Sequence, residues 1–189
     1  MARPSVREQL VEAAAECFHH RGFNGTGIQD IARTAGVPKG SVYNHFASKE
    51  DLAAEVLDRY AASRDLAMLD DTTLAPLPRL RAHFDHLAAD LARFSFERGC
   101  LFGNLGAELA NQSDMLRDRV DTGLAAWASA VVRVLEEARA AGELTTPLDS
   151  DRLGPFLVEA WEGAVLRAKI TRSRAPLDGF LAVLDTLAR

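Results

Sequence analysis

Residues 26–49 limit the fold of this chain more than any other stretch, because they predict two short helices joined by a tight turn. Thr26 followed by Gln29 matches a capping box, and apolar residues then recur at helical spacing: Ile28, Ile31, Ala32 and Ala35. Gly36 suits the left-handed end of this helix, and Pro38 suits the first turn of the next one. The stretch therefore predicts a helix, a turn and a second helix.

The second helix is predicted over residues 38–46, with Val42 and Phe46 facing inward. The side chains left outside are short, polar, cationic or aromatic: Lys39, Gly40, Ser41, Tyr43, Asn44 and His45. A helix, a tight glycine turn and an exposed polar helix form the helix-turn-helix pattern, whose second helix enters the major groove of DNA. We therefore interpret the N-terminal region as a DNA-binding domain.

The net charge of −5 at first argues against a nucleic-acid partner, since phosphate attracts a positive surface. The charge is unevenly distributed, however. Residues 17–49 contain four cations, Arg21, Arg33, Lys39 and Lys49, and a single acid, Asp30, which gives this stretch a charge of +3. Salt limits the electrostatic effect of each charge to about 10 Å, so the positive charge of this stretch matters more for DNA binding than the net charge of the chain.

In its order and spacing, this region resembles the DNA-binding domain of TetR-type transcriptional repressors. The matching residues are Thr26, Ile31-Ala32, Ala35-Gly36-Val37, Lys39-Gly40, Tyr43, His45-Phe46, Lys49 and Leu52. The resemblance implies about nine helices, a dimer, a double-stranded operator with two-fold symmetry, and a C-terminal domain whose small-molecule effector releases DNA. It also implies that Lys39, Gly40 and Ser41 approach base edges, while phosphates are held by Thr26, Tyr43, His45 and Lys49.

The whole chain predicts an all-α fold of two domains. Residues 1–49 form the predicted three-helix DNA-binding domain, and residues 50–189 form a helical effector-binding and dimerisation domain. A helix over residues 50–69, capped by Ser48, is predicted to connect the two. Further helices are predicted over 78–96 and 114–141, after the cap at Asp149, and from Pro176. Three glycines within 99–106 predict a packed kink.

The dimer interface is predicted on the last two helices, where small and large apolar residues alternate and allow another helix to approach closely. The candidate interface residues are Leu157, Ala160, Trp161, Ala164, Ala168, Phe180 and Leu184.

The effector pocket is predicted within the C-terminal helices as an apolar wall with few polar groups. Its candidate residues are Phe94, Cys100, Phe102, Asn104, Glu108, Trp127 and Trp161. A reversible small organic ligand is the main hypothesis. An alternative makes Cys100 a sensor of electrophiles or oxidants, since Arg98 and a helix N-terminus would stabilise its thiolate. Inert packing of Cys100 is a third interpretation.

The sequence favours a regulator over an enzyme, because it has no phosphate-binding glycine loop, metal-spaced ligand set or nucleophile elbow. His83 and His86 lie three residues apart on one helix and are predicted to be solvated; no metal or cofactor is predicted. A helical interaction protein without a DNA role remains an alternative, and so does activation in place of repression. Two distant cysteines, Cys17 and Cys100, and the lack of a signal peptide predict a cytoplasmic protein.

Overall fold

The structure, a computed structural model, describes residues 4–144 and 146–187, and these form nine α-helices without a β-strand. The helices are α1 (Val6–Arg21), α2 (Ile28–Ala35), α3 (Gly40–Tyr43), α4 (Lys49–Ala62), α5 (Pro76–Arg93), α6 (Leu101–Leu109), α7 (Asp114–Ala140), α8 (Ser150–Thr171) and α9 (Ala175–Asp185). A 3₁₀ helix, Leu66–Asp70, lies between α4 and α5. The predicted all-α class is confirmed. No helix in the described ranges has the uninterrupted apolar length needed to cross a bilayer.

The chain divides into two compact units. The N-terminal unit comprises the residues up to Ala61 together with Leu101–Asp121, and the C-terminal unit comprises Ala62–Cys100 together with the residues from Thr122 onward. This division differs from the predicted boundary after residue 49, because α4 and α6 both belong to the N-terminal unit.

The first two helices begin at capping residues, but only one cap lies where the sequence predicts it. Ser5 caps α1, since its hydroxyl accepts from the Glu8 N–H and the Glu8 carboxylate accepts from the Ser5 N–H. The predicted cap at Thr26 is wrong. Gly27 occupies the N-cap of α2, and the Asp30 carboxylate accepts from the Gly27 N–H at 3.1 Å.

Three further boundaries differ from the sequence prediction. α3 covers only Gly40–Tyr43, and α4 ends at Ala62, three residues before Asp65, which adopts a left-handed conformation with φ of 50°. The predicted glycine kink is also wrong, since the last two of its three glycines lie inside α6. A Cβ on Gly106 would approach Val120 to 3.2 Å, so the glycine lets α6 pack closely against α7.

The core of the C-terminal unit is an aromatic cluster formed by Phe84, Trp127, Trp161 and Phe180, with ring centroids 4.8–5.9 Å apart. α7 and α8, which supply the two tryptophans, begin where the sequence predicts, α8 with the Asp149 cap. His83 lies in this core and is fully buried, so the prediction that it is solvated is wrong. Arg79 is buried as well and forms an ion pair with Glu137.

Candidate nucleic-acid interface and effector region

The surface of α3 and its flanking residues is open to a large partner. Five of the six predicted DNA-facing residues are exposed and Ser41 is half-buried; the exposed five are Lys39, Gly40, Tyr43, Asn44 and His45. Val42 and Phe46 anchor the segment in the core, as predicted. Gly36 ends α2 in the left-handed conformation with φ of 69°. A Cβ placed on Gly40 would meet no atom within 4 Å, so none of the described residues covers this position.

Tyr43 is 57 % exposed. Phe46 is buried, and the Arg7 guanidinium lies over its ring, 5.1 Å from the ring centroid. The phenol is therefore accessible to phosphate, and its role as a phosphate ligand stays a prediction.

Two of the four cations of residues 17–49 are paired inside the unit with the acid that the charge of +3 already includes. Arg21 and Arg33 both form ion pairs with Asp30. The pKa of the Asp30 carboxyl is lowered first by the hydrogen bond from the Gly27 N–H and then by these two guanidiniums. The Lys39 side chain, by contrast, has no hydrogen-bond or ion-pair partner among the described residues. Lys39 is therefore the cation best placed for an external anion.

Lys49 and Thr26, both predicted to hold phosphate, are instead engaged within the N-terminal unit. The Lys49 ammonium donates to the carbonyl oxygens of Phe23 at 2.9 Å and Thr26 at 3.0 Å, and it lies 3.9 Å from the centroid of the Phe23 ring. Burial lowers the pKa of Lys49. The hydroxyl of Thr26, which is 1 % exposed, donates to the carbonyls of Gly22 and Cys17. In this conformation neither polar group is available to phosphate.

Glu108, predicted as an effector-binding group, instead caps a turn in the N-terminal unit. Its carboxylate accepts hydrogen bonds from the backbone N–H groups of Phe23 at 3.2 Å and Asn24 at 2.9 Å. Phe102 and Asn104 lie on α6 in the same unit, and the Phe102 ring packs against Tyr60. The other predicted pocket residues belong to the C-terminal unit: Phe94, Cys100, Trp127 and Trp161. The structure thus divides the predicted pocket set between the two units.

A buried hydrogen bond in the C-terminal unit joins Trp127 to His83, which the sequence prediction missed. Trp127 Nε1 donates to His83 Nε2 at 3.0 Å. An indole N–H can only donate, so Nε2 must be the acceptor and Nδ1 carries the ring proton. Burial lowers the pKa of His83 to about 4, which keeps the ring neutral. His83 is three residues from Leu80 and four from Leu87, and this spacing in the apolar seam could have revealed its burial.

The buried side-chain atoms of this unit that lack a hydrogen-bond partner among the described residues include His83 Nδ1, Glu162 Oε1 and Arg79 Nε. Glu162 also accepts a hydrogen bond from the Cys100 thiol, and burial raises the pKa of its carboxyl. Cys100 is 7 % exposed and immediately precedes α6 in sequence. Within the described ranges, no group of three histidine, cysteine, aspartate or glutamate side chains could hold a metal ion.

The predicted dimer-interface residues are mostly core residues of their own subunit. Four of the seven are buried within the C-terminal unit: Leu157, Trp161, Ala168 and Leu184. Ala160, Ala164 and Phe180 are half-buried. The exposed apolar residues of these helices are Phe156, Leu166 and Ile170 on α8 and Val183 on α9. The residues named for the interface thus lie mostly on the inward faces of α8 and α9, whereas these four large apolar residues are exposed.

Family comparison agrees with the geometry of both units. Residues 10–56 match the family described as bacterial regulatory proteins, tetR family, and residues 76–184 match the family described as tetracyclin repressor-like, C-terminal domain. The chain is 37 % identical to the HTH-type transcriptional repressor DhaR of Mycobacterium sp. (strain GP1), over 97 % of this chain and 92 % of that protein.

Two further comparisons cover nearly the whole chain. The HTH-type transcriptional repressor NemR of Escherichia coli (strain K12) is 31 % identical over 94 % of this chain and 90 % of that protein. The crystal structure of regulatory protein TetR from Rhodobacter sphaeroides superposes with a TM-score of 0.89 at 34 % identity, covering 96 % of this chain and 98 % of that one. The relatives are transcriptional repressors rather than enzymes. The chain therefore belongs to the TetR family of ligand-responsive, DNA-binding transcriptional regulators.

Proposed function

We propose that this regulator acts in the cytoplasm as a homodimeric repressor that reads a two-fold symmetric operator with the surface of α3. The observation that carries the proposal is the exposed polar surface around Gly40, where an added Cβ would meet no atom of the described residues within 4 Å. In this proposal Lys39, Gly40 and Ser41 approach base edges. Tyr43, Asn44 and His45 provide exposed polar groups for the phosphate backbone.

The test is fluorescence anisotropy with duplex DNA from upstream of the regulator's own coding sequence. Lys39→Glu should abolish specific binding, because it places an acid where the groove floor and phosphates approach. Arg133→Glu is the matched control, since it makes the same change in net charge at an exposed site of the C-terminal unit. If the unmodified chain bound this DNA no more tightly than a shuffled duplex, or if both variants lost affinity equally, this operator-binding role would be refuted.

The dimer is supported by the outward apolar face of α8 and α9. Phe156, Gly163 and Ile170 recur every seven residues on α8, so they lie on one face, and Leu166 lies beside them. A Cβ on Gly163 would meet no atom within 4 Å, which leaves room for the close approach of a partner helix. Phe156 and Ile170 are 57 % and 62 % exposed in the single subunit, so contact between two copies would remove both from water.

The effector is proposed to be a small, reversibly bound molecule that carries a hydrogen-bond acceptor. The support is the His83 ring, whose Nδ1–H is buried beside Phe84 and Trp127 with no acceptor among the described residues. A buried donor without an acceptor costs roughly 1–3 kcal/mol, and a ligand that supplied the acceptor would remove this cost. Glu162 Oε1 is a second unpaired atom, and as an acceptor it would be satisfied by a hydrogen-bond donor on a ligand.

A thiol switch at Cys100 has one observation in its favour, the position of Cys100 immediately before α6. Its burial and its hydrogen bond to the Glu162 carboxylate oppose it, since a neighbouring negative charge disfavours a thiolate. We therefore favour the reversible ligand.

A further inference from the structure

The turn between α1 and α2, residues 22–26, is held from two sides by side chains that are distant in sequence. The Glu108 carboxylate of α6 accepts hydrogen bonds from the backbone N–H groups of Phe23 and Asn24 in the turn. The Lys49 ammonium, at the start of α4, donates hydrogen bonds to the backbone carbonyls of Phe23 and Thr26 in the same turn. We call this arrangement the turn clamp. Both contacts are charge-assisted, because the carboxylate faces the partial positive charge of N–H groups and the ammonium faces the partial negative charge of carbonyl oxygens.

The turn is shaped to admit the carboxylate. Gly22 has φ of 69° and ψ of 178°, a conformation that residues with a side chain rarely adopt. A Cβ on Gly22 would overlap with the Glu108 carboxylate, so glycine is required by the contact as well as by the backbone. Electrostatic attraction from Glu108 also partly offsets the effect of burial on the pKa of Lys49.

We propose that Glu108 is a positioning residue for operator binding. By fixing residues 22–26 it determines the position of the first turn of α2. α2 is joined to α3 through the Gly36 turn, so the position of α3 depends on that of α2. Lys49 and Thr26 then contribute to DNA affinity by stabilising the turn and not by binding phosphate. This inference rests on the proposed operator-binding function.

The clamp also connects operator affinity to the placement of α6. The Leu101–Asp121 segment belongs to the N-terminal unit, yet the chain enters it from Cys100 and leaves it to Thr122, both of which belong to the C-terminal unit. A displacement of α6 along its own axis by a few ångströms would break both hydrogen bonds to residues 23 and 24, because such bonds weaken steeply beyond about 3.2 Å. The turn would then lose its support from α6.

The experiment compares Glu108→Gln with Glu143→Gln. Glu143 makes the same type of contact, a carboxylate accepting from the Leu77 N–H at 3.1 Å, but in the C-terminal unit. Glutamine keeps the size of the side chain but presents an amide NH₂ to one of the two backbone donors in the clamp. We expect Glu108→Gln to weaken operator binding by roughly tenfold or more, while Glu143→Gln lowers the melting temperature with unchanged affinity.

Three results would overturn the proposal while leaving operator binding intact. The first is that Glu108→Gln binds the operator with normal affinity although its melting temperature is lowered. The second is that Glu143→Gln loses as much affinity as Glu108→Gln. The third is that the changes in stability are additive when Gly22→Ala is combined with Glu108→Ala. The clamp predicts non-additivity in that cycle, because the overlap disappears with the carboxylate whereas the backbone strain remains. Gly36→Ala has the same φ of 69° and nothing within 4 Å, so it should be additive with Glu108→Ala.

If Glu108→Gln did not fold, Glu108→Asp would replace it, since it keeps the charge and withdraws the carboxylate by one methylene. Its affinity should fall as well, and unchanged affinity would contradict the clamp. Operator binding by the unmodified chain is measured first, together with Lys39→Glu. Failure of the unmodified chain to bind would refute the proposed function itself, whereas binding that is insensitive to Glu108 would refute only the positioning role.

Discussion

The burial of His83 makes the stability of this regulator fall in mild acid. The folded state holds the pKa of His83 at about 4, against 6.5 for the free side chain. Burial is the largest cause, followed by His86 and Arg64, which also lower the pKa, while Asp65 raises it. The unfolded chain therefore binds a proton that the folded chain excludes between these two values. The stabilisation is complete above pH 6.5 and is lost as the pH falls toward 4.

The magnitude follows from proton linkage. With these two pKa values, His83 alone should reduce the free energy of unfolding by about 2 kcal/mol between pH 7.5 and pH 5.0. The assay is urea denaturation at both pH values and at one fixed protein concentration, because a dimer's stability depends on concentration. His83→Gln supplies the comparison, since its amide oxygen can still accept from Trp127 Nε1 and does not titrate.

Comparison with the variant cancels the contributions of other titrating groups. Glu162 is one of them, because burial raises the pKa of its carboxyl and so favours the folded state as the pH falls. His20→Gln is the control, as His20 is exposed and paired with Glu16. The unmodified protein and His20→Gln should lose about 2 kcal/mol more than His83→Gln over this pH range. An identical loss in all three would refute the assignment of the acid sensitivity to His83.

Other substitutions separate the remaining roles. Lys39→Ala should reduce the salt dependence of operator binding by about one unit in the log–log slope, whereas Lys49→Ala should lower stability and affinity without changing the slope; equal slopes for both would contradict these assignments. Ile170→Glu should give monomers in analytical ultracentrifugation and abolish operator binding, while Leu148→Glu, at another exposed apolar site, should remain dimeric. N-ethylmaleimide should leave operator binding of both the unmodified protein and Cys100→Ser unchanged, and release of the unmodified protein alone would establish the thiol switch.

The pH experiment and the proposed effector binding both depend on the same residue, His83. The hydrogen bond from Trp127 Nε1 requires a neutral His83 ring with its proton on Nδ1, from which the proposed effector would accept, and burial maintains that neutral form down to about pH 4. The apolar walls are rigid aromatic side chains packed on one another, so a small ligand there must displace a ring to enter. His83→Gln should therefore change the concentration of effector that releases DNA, as well as the acid sensitivity.

The sequence by itself determined most of the helices and the exposed polar surface that we propose binds the operator, because these depend on interactions between near neighbours. Caps such as Ser5 and Asp149 act over three residues or fewer, and amphipathic periodicity extends over a few turns. The exposed polar surface of α3 follows from the same local pattern, with Val42 anchoring its inward side. The failures in helix boundaries, at α3 and the end of α4, occur where weak local preferences compete.

Only the tertiary structure decided which partners the polar side chains take. Glu108 reaches Phe23 across 85 residues of sequence, and Lys49 reaches the same turn across 26, so no local pattern could reveal the clamp. The pairing of His83 with Trp127 spans 44 residues and turns a side chain that looked solvated into a neutral core group. The exposed face of α8 depends on tertiary structure for the same physical reason: apolar residues lie on both its buried and its exposed sides, and the packing of α8 within its unit decides which of them stay exposed.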